Sequence, residues 1–408
     1  MSYKIAGIDV HKRLLVVVVA DAAEEEPSFE GRRFGSTTSE VRHLAAWLRE
    51  RGVQEVVMES TAQYWKPVWL ELEPHFHLHL AQAHSNRAPR GRKNDFGDSQ
   101  RLVRRFLAAE LDLSFVPAAE QRAWRTLTRG KHQLTRERVR VIAQLEALLE
   151  EARIKLSSVI TDLWGASGQR ILRALADGED DPVKLAALGD ARLQCGPEQL
   201  CDALTGQPGT VHRHMLACHL ERLDLLDRQI AQIHRLLAER LHDHQEAVQR
   251  LAQVPGIRVD AAHQIIAEVG VTASAFDSAA QLASWAGVCP GQEESAGVSR
   301  SNRSAKGNAH LRRILNQAAQ AAVRTQGSRF QVVFRRLVPR LGFAKALWAI
   351  AHRLCRVAWK ILHDGVSYQE RGALLSPQGQ KRRIQRLMKE LRHLGYTITP
   401  NNPAPATP

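Results

Sequence analysis

Acidic side chains are the first shortage. Against 57 lysines and arginines the 408-residue chain sets 43 aspartates and glutamates, so its formal charge is +14 and its pI is near 10.0. Such an excess attracts polyanions through long-range fields and points to nucleic acid or an anionic surface as partner. Long apolar runs are the second shortage. The longest lies near Leu14 to Ala20, far short of a bilayer span, which argues against membrane insertion, and Asp9 interrupts any signal-peptide reading of the N-terminus. Cysteine is the third. Cys195, Cys201, Cys218, Cys289 and Cys355 are odd in number and scattered, a pattern that suits reduced thiols better than a disulfide framework. A cytoplasmic location is expected. The remaining composition is globular, and the length suffices for two or three domains.

What is present is a set of acids at the ends of apolar runs. Tyr3-Lys4-Ile5-Ala6-Gly7-Ile8-Asp9 reads as a strand closing on one carboxylate, and a second strand from Leu14 to Ala20 follows. With His11 and Lys12 at the turn, the pair makes a hairpin whose tip carries acid and base. Val56-Val57-Met58-Glu59 is another short run ending in an acid. Lys93-Asn94-Asp95-Phe96-Gly97-Asp98 opens a helix with two acids at i and i+3, which share one helix face. Acids in these places also serve as turn and capping residues. Together, however, Asp9, Glu59, Asp95 and Asp98 meet the demand of hard divalent cations for oxygen ligands, leaving positions for water and phosphate. Between them lie a helix carrying Leu44, Trp47 and Leu48, a helix from Tyr64 to Glu73, and a strand from Phe76 to Ala81. Strands alternating with helices predict an α/β unit. His75, His77 and His79 alternate with apolar residues along the last strand, a polar sheet face rather than a zinc site.

Basic residues crowd the acids. Arg87, Arg90, Arg92 and Lys93 lead into Asp95, and Arg101, Arg104 and Arg105 follow on the helix. Such a cluster would hold a phosphate backbone in register without reading its sequence. From Glu120 to about Leu156 the pattern turns helical, with Leu127, Leu134, Val141 and Leu148 seven apart. A second long helix is expected from about His214 to Gln249, carrying Leu216, Leu220, Leu223, Leu226, Ile230, Ile233, Leu237 and Leu241. These coiled-coil-like stripes must be buried against each other or against another subunit, so oligomerisation is expected. Residues 162–210 between them show Gly and Pro breaks and no legible motif. Leu251-Ala252-Gln253-Val254-Pro255-Gly256-Ile257, followed by a helix from Asp260 to Val269, fits either a helix-hairpin-helix offering N–H groups to a DNA phosphate or a plain helix–helix turn. Arg258 stands where the former has its second glycine.

A loop rich in small residues follows Leu282-Ala283-Ser284-Trp285-Ala286-Gly287-Val288-Cys289-Pro290. It holds Ser295, Ser299, Ser301 and Ser304, and closes on Lys306-Gly307-Asn308 before Leu311-Arg312-Arg313. A serine nucleophile needs a base or metal to activate it and cations to stabilise a pentacoordinate phosphate. Arg300, Arg303, Lys306, Arg312 and Arg313 are placed to supply the cations.

The ordered set of motifs resembles the insertion-sequence one-ten (IS110-type) DEDD transposases. It comprises Asp9 after a strand, Glu59 before Ser-Thr-Ala-Gln-Tyr-Trp, the Lys-Asn-Asp-x-x-Asp block, Val-Pro-Gly-Ile, Trp-Ala-Gly-Val-x-Pro and Lys-Gly-Asn-x-x-Leu-Arg-Arg. The resemblance implies a RuvC-like (RNase H fold) α/β nuclease domain over residues 1–117 and a coiled-coil and helical insertion over 118–249. It further implies a mainly α-helical C-terminal transposase domain over 250–371, with a basic, Pro-ended tail at 372–408. By position it makes Asp9, Glu59, Asp95 and Asp98 ligands of Mg2+ or Mn2+, and Ser295 the nucleophile. Two departures stand out. Asn94 replaces the usual threonine, and Ala296 replaces a glycine after Ser295, which leaves Ser299 as a competing choice. The implied activity is DNA cleavage and exchange between donor and target duplexes through a covalent phosphoserine, in the bacterial cytoplasm or nucleoid. A homo-oligomer, dimer or tetramer, and guidance by a bridge noncoding RNA are implied as well. The competing readings are a Holliday-junction-resolvase-like DEDD endonuclease that uses water, and an inactive nucleic-acid-binding relative.

Overall fold

The structure, a computed structural model, describes residues 3–23, 28–83, 85–86, 94–291, 293–295, 298–301, 303–370, 385 and 388. Arg87, Arg90, Arg92 and Lys93, and all but two residues of the basic tail, lie outside this set. The chain divides into two compact units, residues 1–118 and 119–408.

The first unit runs β1 (Lys4–Val10), β2 (Leu14–Asp21), β3 (Glu30–Gly35), α1 (Thr38–Glu50), β4 (Val53–Glu59), α2 (Trp65–Leu72), β5 (His77–Ala81) and α3 (Asp95–Leu107). Its five strands form one mixed sheet in the order β3-β2-β1-β4-β5. β1 pairs antiparallel with β2, and β2 with β3, whereas β4 lies parallel to β1 and β5 parallel to β4. Cover on both faces of the sheet explains why β1, β2 and β4 read as near-continuous apolar runs instead of alternating. On one face Ala6, Ile8, Val10, Val56 and Met58 pack with Leu44 and Leu48 of α1 and Leu72 of α2. The opposite face brings Ile5, Val18 and Val57 against Leu102 and Val103 of α3. β3 was not legible in the sequence because it is an edge strand: only Phe34 is buried, and Arg32 and Arg33 point its remaining surface to solvent. In β5, His79 places Nε2 3.2 Å from Glu55 Oε2 and its ring 4.5 Å from Phe106, so the histidine face is a polar sheet face; His75 precedes the strand.

The second unit contains α4 (Ala119–Glu151), α5 (Leu156–Val159), α6 (Ala166–Ala176), α7 (Pro182–Ala187), α8 (Pro197–Ala203), α9 (Thr210–Arg240), α10 (Gln245–Ala252), α11 (Val259–Val269), α12 (Ala279–Ala286), β6 (Glu293–Ser295), β7 (Val298–Ser301), α13 (Ala309–Arg324), α14 (Arg329–Leu341) and α15 (Phe343–Asp364). The two long helices α4 and α9 bury their stripes on each other within one chain. Arg138 Nε bonds Asp227 Oδ1 at 2.7 Å, while Lys131, earlier in α4, and His234, later in α9, both reach Asp260, an antiparallel arrangement. The deepest residues of α4 there are Val141, Leu145 and Leu149, four apart, and the sevenfold Leu134 and Leu148 are only partly covered.

One expectation needs correction. The second long helix stops at Arg240, not Gln249. Leu241 leaves helical geometry, a 3-10 turn spans His242–His244, and α10 resumes against α11 and α15 in place of α4. The unreadable stretch of 162–210 is built of short helices. Leu172, Leu175, Leu185, Leu200 and Leu204 join Leu216, Leu220 and Leu223 of α9 in one core. The signals lay in Asp181-Pro182 and Gly196-Pro197, since proline at a first helical position costs no hydrogen bond.

The Pro-Gly-Ile turn between α10 and α11 is a packing joint. Gly256 has φ +89°, and a Cβ there would stand 2.2 Å from the Ala318 carbonyl and 2.7 Å from the Ala322 nitrogen of α13. The face on which a side chain would grow is therefore filled by protein.

Candidate active site

Strand parity sets the first two acids. β1 and β4 are parallel with Ile8 opposite Met58, so Asp9 and the terminal Glu59 follow side by side on the face that carries Gly7 and Val57. That face receives α3, and its approach is unusually close. A Cβ on Gly7 would meet the Ser99 carbonyl at 2.5 Å and Val103 Cγ2 at 2.8 Å. Ser99 is fully buried and its Oγ donates to Val16 O at 2.8 Å, pinning the first turns of α3 on the β1–β2 hairpin. Asn94 caps the helix by accepting from Phe96 N at 3.2 Å. Capping therefore falls to Asn94, and Asp95 and Asp98 occupy the first turn, where the helix dipole favours negative charge.

Asp9, His11 and Asp95 come together there, with a ligand atom from each lying within 4.8 Å of the others. Asp9 is 7% exposed, and its Oδ2 lies 3.0 Å from His11 Nε2. The backbone of His11 closes the hairpin turn by donating to Leu14 O at 2.9 Å. Glu59 and Asp98 belong to an adjoining network. Glu59 Oε2 accepts from Asn86 Nδ2 at 2.8 Å, and Asp98 Oδ1 accepts from Arg101 Nη2 at 2.5 Å. Arg101 Nε donates in turn to Asn86 Oδ1 and O, each at 3.3 Å, and Asn86 is 3% exposed. The four acids thus divide into Asp9 with Asp95, and Glu59 with Asp98 through an amide and a guanidinium. Arg101 and Arg105, expected to face a phosphate backbone, are instead tied to the loop at 85–86, Arg105 by Nη1 donating to Ser85 O at 2.5 Å. Arg104 lies 5.1 Å over the Phe29 ring.

In the second unit β6 and β7 form a hairpin in which Ser295 stands opposite Val298 and Ser299 opposite Glu294. Ser295 is the last residue of its strand, and Ser299 and Arg300 lie in the partner strand. Of residues 293–295 and 298–301 only the backbone is described, so the side chains of Ser295, Ser299 and Arg300 lie outside the described structure. The return of the loop is anchored firmly. Gly307, at φ +43°, fits against Ala286 O and Gly287 N, each 2.4 Å from where a Cβ would stand. Asn308 Oδ1 accepts from His310 N and Leu311 N at the start of α13, and its Nδ2 donates to Glu268 Oε2 at 2.8 Å. Glu268, 1% exposed, also receives Arg129 Nε at 2.9 Å and Nη2 at 2.8 Å, with Arg125 Nε at 3.4 Å. Burial by itself would raise its pKa, but Arg129, Arg125 and Asn308 together hold it below the usual carboxylate range. Burial in the same place pulls Arg125 down to about 10.

Three of the predicted cations surround a groove of about 440 Å³ between α13 and α15, together with Asn316, Gln317 and Trp348: Lys306, Arg312 and Arg313. Arg312 donates to Gly287 O at 2.8 Å and lies 4.9 Å over the Trp348 ring, and Arg313 donates to Gln264 Oε1 at 2.7 Å. Arg303 is exposed at the foot of the hairpin. The sequence marked His11 as a base at the hairpin tip but not as a partner of the acids, a place that its position two residues after Asp9 could have suggested. It also missed Asn86 and Glu268, for which no local signal exists.

Residues 6–154 match the family model of the IS110-type DEDD transposases, described as transposase, and residues 248–334 match that of the transposase IS116/IS110/IS902 family. A Pseudomonas aeruginosa protein named a probable family 20 transposase is 24% identical over 322 residues, covering 77% of this chain and 85% of its own. The transposase for insertion sequence element IS1328 of Yersinia enterocolitica is 24% identical over 282 residues, 68% of this chain and 74% of its own. Among the described residues no helix is long and apolar enough to cross a membrane.

Proposed function

The chain belongs to the IS110 family of DEDD transposases and is a DNA transposase, and from that premise we propose that it exchanges DNA strands through a phosphoserine on Ser295, assisted by cations held at Asp9, Glu59, Asp95 and Asp98. The observation that carries this reading is the meeting of the Asp9 and Asp95 carboxylates where α3 crosses the end of β1. A RuvC-like assignment of residues 1–117 is supported by the mixed sheet, in which β2 alone runs antiparallel to the other four strands. We assign 118–249 to a coiled-coil insertion, 250–371 to the transposase domain and 372–408 to a basic tail.

The donor set fits a divalent cation, Mg2+ or Mn2+: a nearly buried carboxylate, a second carboxylate on a helix start and an imidazole converge, with two further acids adjoining. A cation held by these residues would polarise the scissile phosphate and lower the pKa of the attacking hydroxyl. The chain's own groups do the rest. Ser295 Oγ attacks phosphorus in line, forming a serine–phosphate bond as the bond to the 3′ oxygen breaks, and the serine proton ends on that oxygen. The 3′ hydroxyl of the exchanging strand then attacks the phosphoserine and returns the proton to Ser295. One ester replaces another, so the linkage is conserved without hydrolysis. Lys306, Arg312 and Arg313, in a groove without a carboxylate, are suited to hold the strand's phosphates. A homo-oligomer that brings acids and serine together and a bridge RNA that selects both duplexes complete the proposal. Sequence choice would then rest on base pairing, and the protein would read backbone and shape.

The test is Ser295→Ala beside Ser299→Ala, with both DNA ends, the element's flanking RNA and Mg2+. Ser295→Ala is expected to abolish both strand exchange and the covalent protein–DNA adduct, while Ser299→Ala retains them. Normal cleavage by Ser295→Ala would show that water is the nucleophile.

A further inference from the structure

We propose that His11 is a direct nitrogen ligand of the cation held by Asp9 and Asp95, which makes this a mixed nitrogen–oxygen centre that prefers Mn2+ to Mg2+. The inference rests on the metal reading given above but goes beyond its four acids.

Three features point to it. His11 directly follows β1, and the bond from His11 N to Leu14 O closes the turn with its ring beside the Asp9 carboxylate. Nε2, not the backbone-proximal Nδ1, faces Asp9 Oδ2 at 3.0 Å, a spacing that two ligands of one ion can share. Asp95 arrives from a different element, α3, and its oxygen closes the triangle within 4.8 Å. An imidazole whose only role was to pair with Asp9 would not require the carboxylate of α3 to converge on the same point. Glu59 and Asp98 are meanwhile engaged by Asn86 and Arg101, so the three converging groups are the ones positioned for a first ion.

Ligand chemistry then sets the preference. Mg2+ takes oxygen ligands and sheds water reluctantly, whereas imidazole suits transition ions, and Mn2+ accepts carboxylate, water and imidazole together.

The test uses the full-length protein and Mn2+ as probe, read by electron paramagnetic resonance. In the wild type, bound Mn2+ is expected to show hyperfine coupling to a histidine nitrogen, which changes to the 15N pattern when histidine is 15N-labelled. His11→Ala should still bind Mn2+ through the carboxylates but lose the coupling, with affinity reduced by about tenfold or more. His11→Asp exchanges nitrogen for oxygen and should shift competition between the two ions toward Mg2+. Both variants keep the near-ultraviolet circular dichroism of the wild type, because the side chain is 35% exposed at a turn. Mn2+ that binds in an Asp9-dependent manner but without nitrogen coupling, or with coupling that survives in His11→Ala, overturns the role of His11 alone. Failure of the wild type to bind Mn2+, or binding unchanged in Asp9→Asn, overturns the metal centre itself.

Discussion

Replacing Gly7 with alanine probes whether the seating of α3 places the acids. The added Cβ would stand 2.5 Å from the Ser99 carbonyl and 2.8 Å from Val103 Cγ2, whereas ordinary contact begins near 3.4 Å. Ser99 is a backbone obstacle on a helix turn that is fully buried and hydrogen-bonded to Val16, so no side-chain rotation relieves the clash. The start of α3 must retreat by about 1 Å, and overpacking of this kind costs about 1–3 kcal/mol. For a unit of this size that lowers its melting temperature by about 4 °C per kcal/mol, measurable by scanning calorimetry of the whole protein. Asp95 moves with the helix while Asp9 stays on the strand, and a misplacement of about 1 Å reduces a positioned reaction by about 100-fold. Strand cleavage should therefore fall far more than stability does when both are measured at 25 °C, where the variant is still folded. A Gly7→Ala protein with wild-type melting and wild-type cleavage would refute the idea that this contact holds Asp95 over Asp9. Loss of stability with full activity would show that the acids are placed by something else.

The remaining predictions concern the anchor of the serine loop. Glu268→Ala leaves Arg125 and Arg129 without their buried partner and should cost about 3–5 kcal/mol in urea unfolding of the second unit. Because the folded pKa of Glu268 is depressed, its contribution is fully present above the usual carboxylate range near pH 4.5 and is lost as pH falls through the lowered folded value. Glu268→Gln should therefore flatten the acid limb of a stability–pH curve, and an unchanged limb would count against this pairing. Asn308→Ala removes a helix cap together with one donor to Glu268, a loss of about 1–2 kcal/mol that the same unfolding assay detects.

Local chemistry was enough to read most elements of the first unit. β1, β2 and β4 announced themselves as apolar runs, Asn94 and the acids after it marked the start of α3, and the Trp and Leu spacing of α1 and α2 marked their buried faces. The acids could be singled out because a carboxylate at the end of an apolar strand is conspicuous in any order of strands. β3 escaped notice because an edge strand needs only one apolar residue, and the break at Leu241 escaped because the leucine stripe continues across a change of packing partner.

Periodicity assigns a residue to a face and leaves open which distant segment that face will meet. Only the tertiary structure could decide that Ser99 would bond to Val16, 83 residues away, and so bring Asp95 to Asp9 and His11. The same holds for Asn86 bridging Glu59 to Arg101, and for Glu268 binding Arg129 and Asn308 across 139 and 40 residues. Such polar contacts form only once a core has excluded water around them, and the energy that selects them is absent from any short stretch of chain.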